Sequence, residues 1–167
     1  MKVIFLDIDG VLNVIPQGYD RYGAIFHQHF VDNLKELVDK TGAKIVVSSS
    51  WRLAKTVEWF KEMWMYRKLP GEVVDITPDL AFKRKDLSFD YWQSVPRGSE
   101  IDRWLKEHIE VTNYVILDDD SDMLVKQFDH FVCCSGNASH PDHIDGGGYG
   151  LTKQCTQKAI EILNKNK

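Results

Sequence analysis

Three short apolar runs, each ending in oxygen-bearing side chains, restrict the folds open to this chain more than any other feature. Residues 3–6 (VIFL) run into Asp7-Ile8-Asp9-Gly10, residues 43–47 (AKIVV) into Ser48-Ser49-Ser50, and residues 114–117 (YVIL) into Asp118-Asp119-Asp120-Ser121-Asp122. A continuous apolar run of this length fits a strand buried on both faces, as in a parallel sheet. Helical patterns lie between the runs. Residues 28–40 place Phe30, Leu34, Leu37 and Val38 at helical spacing before a Thr41-Gly42 stop. Residues 53–66, 99–108 and 152–164 also read as helices, and 123–128 as a short one. Val73–Ile76 and residues 131–134 supply two further predicted strands. Residues 77–95 show no clear period and read as a long functional loop; residues 135–150, rich in Gly, His and Asp, read as another.

Strands alternating with helices imply βαβ crossovers. The expected fold is α/β: a three-layer, doubly wound parallel sheet of Rossmann-like type, with helices on both faces. Ligands of such sheets bind outside the carboxyl ends of the strands. The architecture therefore gathers Asp7 and Asp9, Ser48 and Ser49, and Asp118, Asp119 and Asp122 at one edge, although they are far apart in sequence. With no internal repeat, linker or low-complexity tract, residues 1–167 read as a single domain.

Carboxylates clustered at such an edge repel one another and are costly unless a cation neutralises them. Oxygen-only donors point to a hard ion, Mg²⁺ above all, and the lack of histidine at these strand ends disfavours zinc. A metal beside a carboxylate nucleophile suits phosphoryl transfer: an aspartate attacks phosphorus and water then hydrolyses the aspartyl-phosphate. A second carboxylic acid can protonate the leaving oxygen and afterwards activate the water. Residues i and i+2 of an extended segment face the same side, so Asp7 and Asp9 can address one phosphate, and Gly10 allows a tight turn behind them. A hydroxyl of Ser48 or Ser49 can bond a phosphoryl oxygen, and Arg97 can balance its charge.

These residues carry a resemblance. FLDIDGVLN resembles motif I of the haloacid dehalogenase (HAD) superfamily of phosphohydrolases, hhhhDxDG, and VVSSSWR resembles its motif II. Arg97 in VPRGSEI stands where that superfamily carries its Lys or Arg, and VILDDDSDM resembles motif IV. The four occur in order over most of the chain. Together with GLT near residue 150, they are most similar to a small HAD branch found in, or related to, bacterial and phage RNA-repair proteins. The resemblance implies Asp7 as nucleophile and metal ligand. It implies Asp9 as general acid/base, also lending a backbone carbonyl to Mg²⁺. Asp118 becomes the main motif IV ligand, with Asp119 or Asp122 in support. It favours Ser49 over Ser48 as the phosphate contact, although a one-residue slip of register exchanges them. Arg97 departs from the commoner lysine but keeps the charge.

Short insertions leave room for a minimal cap or none, so the site is expected to be open. Capless members of that superfamily tend to take large substrates. The expected partner is a phosphorylated substrate such as an RNA or DNA end or a nucleotide, with small phosphometabolites and phosphoproteins as alternatives and no obligate protein partner. Lys83, Arg84 and Lys85 with Phe89, Tyr91 and Trp92 form a basic, aromatic stretch able to pair with phosphates and stack on bases. The formal net charge of −4 excludes an overall basic field of the kind that drives sequence-independent DNA binding. With 43% hydrophobic and 28% charged residues, the composition is that of a globular protein rather than a disordered chain. No signal pattern or membrane-length apolar run is evident, and three cysteines without metal-ligand spacing read as reduced thiols. A cytoplasmic location is expected, with no membrane association.

Competing readings attach to several residues. Arg52 reads equally as a phosphate contact or a salt-bridge partner, and Trp51, Trp59, Trp64 and Trp104 read mostly as core. His140-Pro141-Asp142-His143 reads as an ordinary polar loop rather than a metal site. A receiver-type phospho-acceptor also gathers carboxylates, a hydroxyl and a cation around Mg²⁺. Such a module usually carries its acceptor Asp on a later strand, so the first-strand DxDG pair favours an enzyme.

Overall fold

The computed structural model describes residues 1–84, 91–134 and 150–165, with the backbone course alone at 83–84 and 91–92. Five strands form one parallel sheet: β1 (Lys2–Leu6), β4 (Lys44–Val47), β5 (Val73–Ile76), β8 (Asn113–Asp118) and β9 (Phe131–Cys133). Two short antiparallel pairs lie outside it, β2 (Tyr19–Asp20) with β3 (Gly23–Ala24) and β6 (Phe82–Arg84) with β7 (Tyr91–Gln93). The helices are α1 (Gln28–Thr41), α2 (Val57–Arg67), α3 (Arg97–Glu107) and α4 (Lys153–Asn164).

The central strands are buried on both faces because their middle positions are apolar on both sides. Val3, Ile4, Phe5 and Leu6 are all fully buried, each contributing roughly 1.5–3 kcal/mol of transfer free energy. Alternation divides them. Ile4, Leu6, Ile45 and Val47 join a core built with Leu34 and Leu37 of α1, Phe60 and Met63 of α2, and Ala159 and Leu163 of α4. Val3, Phe5 and Val46 face the other way, against Ile101 and Trp104 of α3. The three-layer, doubly wound arrangement expected from the sequence is the one observed.

Across the sheet the order is β5-β4-β1-β8-β9. The chain starts in the middle, runs outward through β4 and β5, then crosses to β8 on the opposite side of β1. That reversal makes the carboxyl ends of β1 and β8 a topological switch point, where open α/β sheets form their binding crevice. Asp7 follows directly on β1, and Asp118 closes β8.

Several local expectations are corrected. Residues 77–95, expected as a loop, carry a short strand pair, in which Phe82 pairs with Gln93, Lys83 with Trp92 and Arg84 with Tyr91. A pair of three-residue strands is too short for a periodic signal. The helix expected over 53–66 is divided: a 3-10 turn spans Ser50–Ala54, Lys55 is extended, and the Thr56 side chain caps α2 by accepting from Trp59 N at 3.3 Å. Local side-chain capping competes with helix continuation at such residues. Helix α1 ends as expected, with Gly42 left-handed at φ 65°. The segment 123–128 is a 3-10 turn, shifted to Val125–His130. Among the described residues, the segment after β1 carries the β2–β3 pair and the segment after β5 carries the β6–β7 pair. Among the described residues no helix is long and apolar enough to cross a membrane.

Candidate active site

Register decides which side chains meet at the switch point. Leu6 pairs with Val47 on one side and Leu117 on the other. The next row therefore sets Ser48, Asp7 and Asp118 side by side, and paired residues of a parallel ladder face the same way. Backbone bonds continue this row, Asp7 N to Leu117 O at 3.0 Å and Ser48 N to Leu6 O at 3.0 Å. All three side chains are buried, Ser48 and Asp118 completely.

Arg97, the first residue of α3, spans the two carboxylates. Its Nη1 lies 3.1 Å from Asp7 Oδ1 and 3.2 Å from Asp118 Oδ2. Burial opposes its charge, but Asp118 and Asp7 more than offset this and raise its pKa. The loop after β8 adds Asp119. Ligand atoms of Asp7, Asp118 and Asp119 lie within 4.8 Å of one another. Burial and repulsion from Asp7 push the Asp118 carboxyl well above the ordinary aspartate range, with Arg97 opposing; the same first two causes raise Asp119.

These residues fit a divalent cation. Three carboxylates against one guanidinium leave two formal negative charges, the donors are all oxygen, and Asp118 Oδ2 is buried without a hydrogen-bond partner. Hard divalent cations favour such donors.

Gly10 makes the approach of Asp119 possible. It has φ 78°, and a Cβ on it would stand 2.1 Å from Asp119 Cγ. Gly10→Ala is expected to cost roughly 1–2 kcal/mol for the left-handed backbone and to drive the exposed Asp119 side chain out of the group. Calorimetric titration should show weaker divalent-cation binding together with a lower Tm. Unchanged cation affinity would remove Asp119 from the ligand set.

The other expected site residues have different surroundings. Asp9 is exposed and accepts from Trp51 Nε1 at 2.8 Å and Asn13 Nδ2 at 3.1 Å. The carboxylates of Asp7 and Asp9 thus have separate partners rather than a shared one. Asp122 Oδ2 accepts from Arg97 N at 2.7 Å, which caps α3 and fixes the start of the helix that carries Arg97. Neither Asp9 nor Asp122 belongs to the carboxylate trio found among the described residues. Ser48 Oγ is buried without a hydrogen-bond partner, whereas Ser49 Oγ accepts from Trp51 N at 3.4 Å at the head of the 3-10 turn.

Arg52 resolves to its structural reading. Its Nε donates to Thr77 O at 3.0 Å, Nη1 to Ser48 O and Ser49 O, both at 3.1 Å, and Nη2 to Pro78 O at 3.4 Å and to Glu100. A guanidinium has five N–H donors, and these contacts engage all of them. Arg52 therefore fixes the backbone beneath Ser48 and Ser49 and has none left for a phosphate.

The hold of Asn13 and Trp51 on Asp9 has no signal in the sequence. Trp64 and Trp104 are core, as expected, but Trp51 and Trp59 are only half-buried. The indole N–H of Trp51 holds Asp9 across 42 residues of sequence, a contact no local pattern encodes. Lys85, Phe89 and the 140–143 segment lie outside the described residues, as do the side chains of Lys83, Arg84, Tyr91 and Trp92.

A family model described as the HAD domain in Swiss Army Knife RNA repair proteins matches residues 3–139. The chain belongs to this HAD family. No curated protein matches it. Within the HAD domain, the matched span includes the Asp7 loop, the Ser48 strand end, Arg97 and the Asp118-Asp119 pair. It stops short of α4, whose Ala159 and Leu163 pack into the larger of the two cores.

Proposed function

We propose that this HAD domain is a Mg²⁺-dependent phosphomonoester hydrolase that works through an aspartyl-phosphate on Asp7. The observation that carries the reading is the row of Asp118, Asp7 and Ser48 at the switch point, with Arg97 spanning both carboxylates. Asp7, Asp118 and Asp119 would hold the cation, which when bound offsets charge on the phosphoryl oxygens.

Asp7 Oδ1 accepts from Ile8 N at 2.8 Å and faces Arg97, so attack is assigned to Oδ2. A bond forms from Oδ2 to phosphorus as the ester P–O bond breaks, and Asp9 gives its proton to the leaving oxygen. Asp9 then takes a proton from water as that water attacks phosphorus, releasing inorganic phosphate and restoring the Asp7 carboxylate. Trp51 and Asn13 keep the Asp9 carboxylate at the mouth of the site, where solvent reaches it. Arg97 remains charged throughout. Ser48 and Ser49 are the candidate donors to a phosphoryl oxygen, and Ser48 has the oxygen with no protein partner.

The proposed substrate is exposed, a nucleic-acid terminus or nucleotide, which the RNA-repair description of the matching family supports. Buried thiols at Cys133, Cys134 and Cys155 fit a cytoplasmic protein. The test is a panel of phosphomonoesters: an aryl phosphate, sugar phosphates, phosphopeptides, and 3′- and 5′-phosphorylated oligonucleotides, with and without Mg²⁺. Mg²⁺-dependent release of phosphate, stopped by a chelator, is the expected result. Failure of every ester would overturn the hydrolase reading and favour a receiver-like phospho-acceptor.

A further inference from the structure

A recess opens beside Trp51, and none of the carboxylate trio lines it. It has a volume of about 410 Å³ and is lined by the β2–β3 hairpin from Arg21 to Gly23, by Trp51 and its neighbours in the 3-10 turn, by Lys55 after it, and by Trp59 of α2. That volume falls within the range of about 300–1,000 Å³ typical of small-ligand sites. Its walls combine three aromatic rings with two exposed cations. Trp59 meets Tyr22 edge-on, with centroids 5.3 Å apart, and Trp51 at 6.3 Å. The Arg21 guanidinium lies 5.1 Å from the centre of the Tyr22 ring, and Lys55 Nζ lies 4.8 Å from that of Trp59.

Trp51 joins this recess to the chemistry. One edge of its indole packs on Gly23, where a Cβ would stand 3.4 Å from Cη2, and its N–H holds Asp9. Trp51 is thus shared between the recess and Asp9, the proposed proton donor.

We propose that the recess formed by Arg21, Tyr22, Trp51, Lys55 and Trp59 is a nucleoside subsite, stacking the base nearest the scissile phosphate while Arg21 and Lys55 meet the neighbouring backbone phosphate. The proposal deepens the hydrolase reading and rests on it for the position of the phosphate. Aromatic faces accept any base because every base has a π-face, and cations beside them follow the backbone. Selection is therefore for single-stranded nucleic acid or a nucleotide rather than for a sequence. The chain's net charge of −4 makes these two cations a local device rather than part of a general basic field. The Lys55 ammonium lies over the Trp59 ring face, and in the proposed complex it swings to the phosphate when a base takes its place.

The test compares a phosphorylated oligonucleotide, the same oligonucleotide lacking its terminal base, a mononucleotide and a simple alkyl phosphate, in ribo and deoxy forms. For the native protein, KM is expected to be about 10- to 100-fold lower with the terminal base than without it, the effect of one stacked base. Trp59→Ala should erase that difference and leave alkyl phosphate turnover unchanged. Lys55→Ala and Arg21→Ala alter only exposed cations, and they should raise KM for the oligonucleotide and flatten its salt dependence without affecting the mononucleotide equally. Tryptophan fluorescence titrated with the two oligonucleotides reads binding independently of turnover.

If no ester is hydrolysed but fluorescence still distinguishes base from no base, the hydrolase reading falls and the subsite stands. If esters are hydrolysed but terminal base, Trp59 and the two cations make no difference, the subsite is overturned and the hydrolase reading stands.

Discussion

Asp7→Asn is expected to abolish phosphomonoester turnover, with kcat falling on the order of 10⁴-fold or more, the scale on which loss of a nucleophile acts in other hydrolases. The substitution is nearly isosteric, and its amide oxygen can still accept from Ile8 N as Oδ1 does at 2.8 Å. Arg97 keeps Asp118 as a partner. The fold should therefore persist, and circular dichroism and Tm should show it. What disappears is the oxygen that bonds phosphorus, and with it any acid-stable mass increment of one phosphoryl group after rapid quenching.

Asp9→Asn separates the two halves of the reaction. An aryl phosphate has a good leaving group that needs little protonation, so phosphorylation of Asp7 proceeds. Hydrolysis of the aspartyl-phosphate needs a base, so phosphorylated protein accumulates. Undiminished turnover by Asp7→Asn would sink the assignment of the nucleophile.

Much of this site is legible in the amino-acid sequence. Residues 3–6, 45–47 and 114–117 are predominantly apolar because both faces of their strands are covered, and the abrupt change to Asp or Ser marks the point where each strand leaves the core. Alternation with helices then fixes a parallel sheet, and a parallel sheet puts those ends on one edge. Register was not legible. Whether Ser48 or Ser49 stands beside Asp7 depends on backbone bonds such as Ser48 N to Leu6 O, and the family resemblance, which favours Ser49, carries no register.

The separate surroundings of the carboxylates were also hidden. An i, i+2 spacing suggests one shared target for Asp7 and Asp9, but β1 ends at Leu6 and the following loop turns back. There Val11, Leu12 and Asn13 all donate their backbone N–H to Ile8 O. Asp9 is thereby handed to Trp51, on another element altogether. Likewise, the five contacts of Arg52 reach from Ser48 to Glu100. Only the folded chain shows that this arginine is a brace.

Asp118→Asn is expected to stabilise the metal-free protein at neutral pH while eliminating its response to Mg²⁺. Asp118 is fully buried, and burial and the Asp7 charge raise its pKa well above the ordinary value. Asp119 is raised as well. The folded state therefore keeps protons that the unfolded chain releases near pH 4. By linkage, stability falls as pH rises from that value through the raised folded pKa values, then levels off. For the buried Asp118, each unit of raised pKa costs about 1.4 kcal/mol above that window, whereas solvent screens the exposed Asp119 and its share is smaller; in a domain of this size each kcal/mol moves Tm by about 2–4 °C.

A cation bound by the three carboxylates favours their ionised forms and reverses the penalty. The Tm gain on adding Mg²⁺ should consequently grow as pH rises through the same window. Asparagine at position 118 carries no charge to neutralise, so the metal-free pH slope should flatten and the gain should vanish. Thermal unfolding at a series of pH values, with chelator or Mg²⁺, reads both effects. A metal-free Tm that climbs with pH, or a full Mg²⁺ response in Asp118→Asn, would show that the buried carboxylates serve the fold rather than a cation.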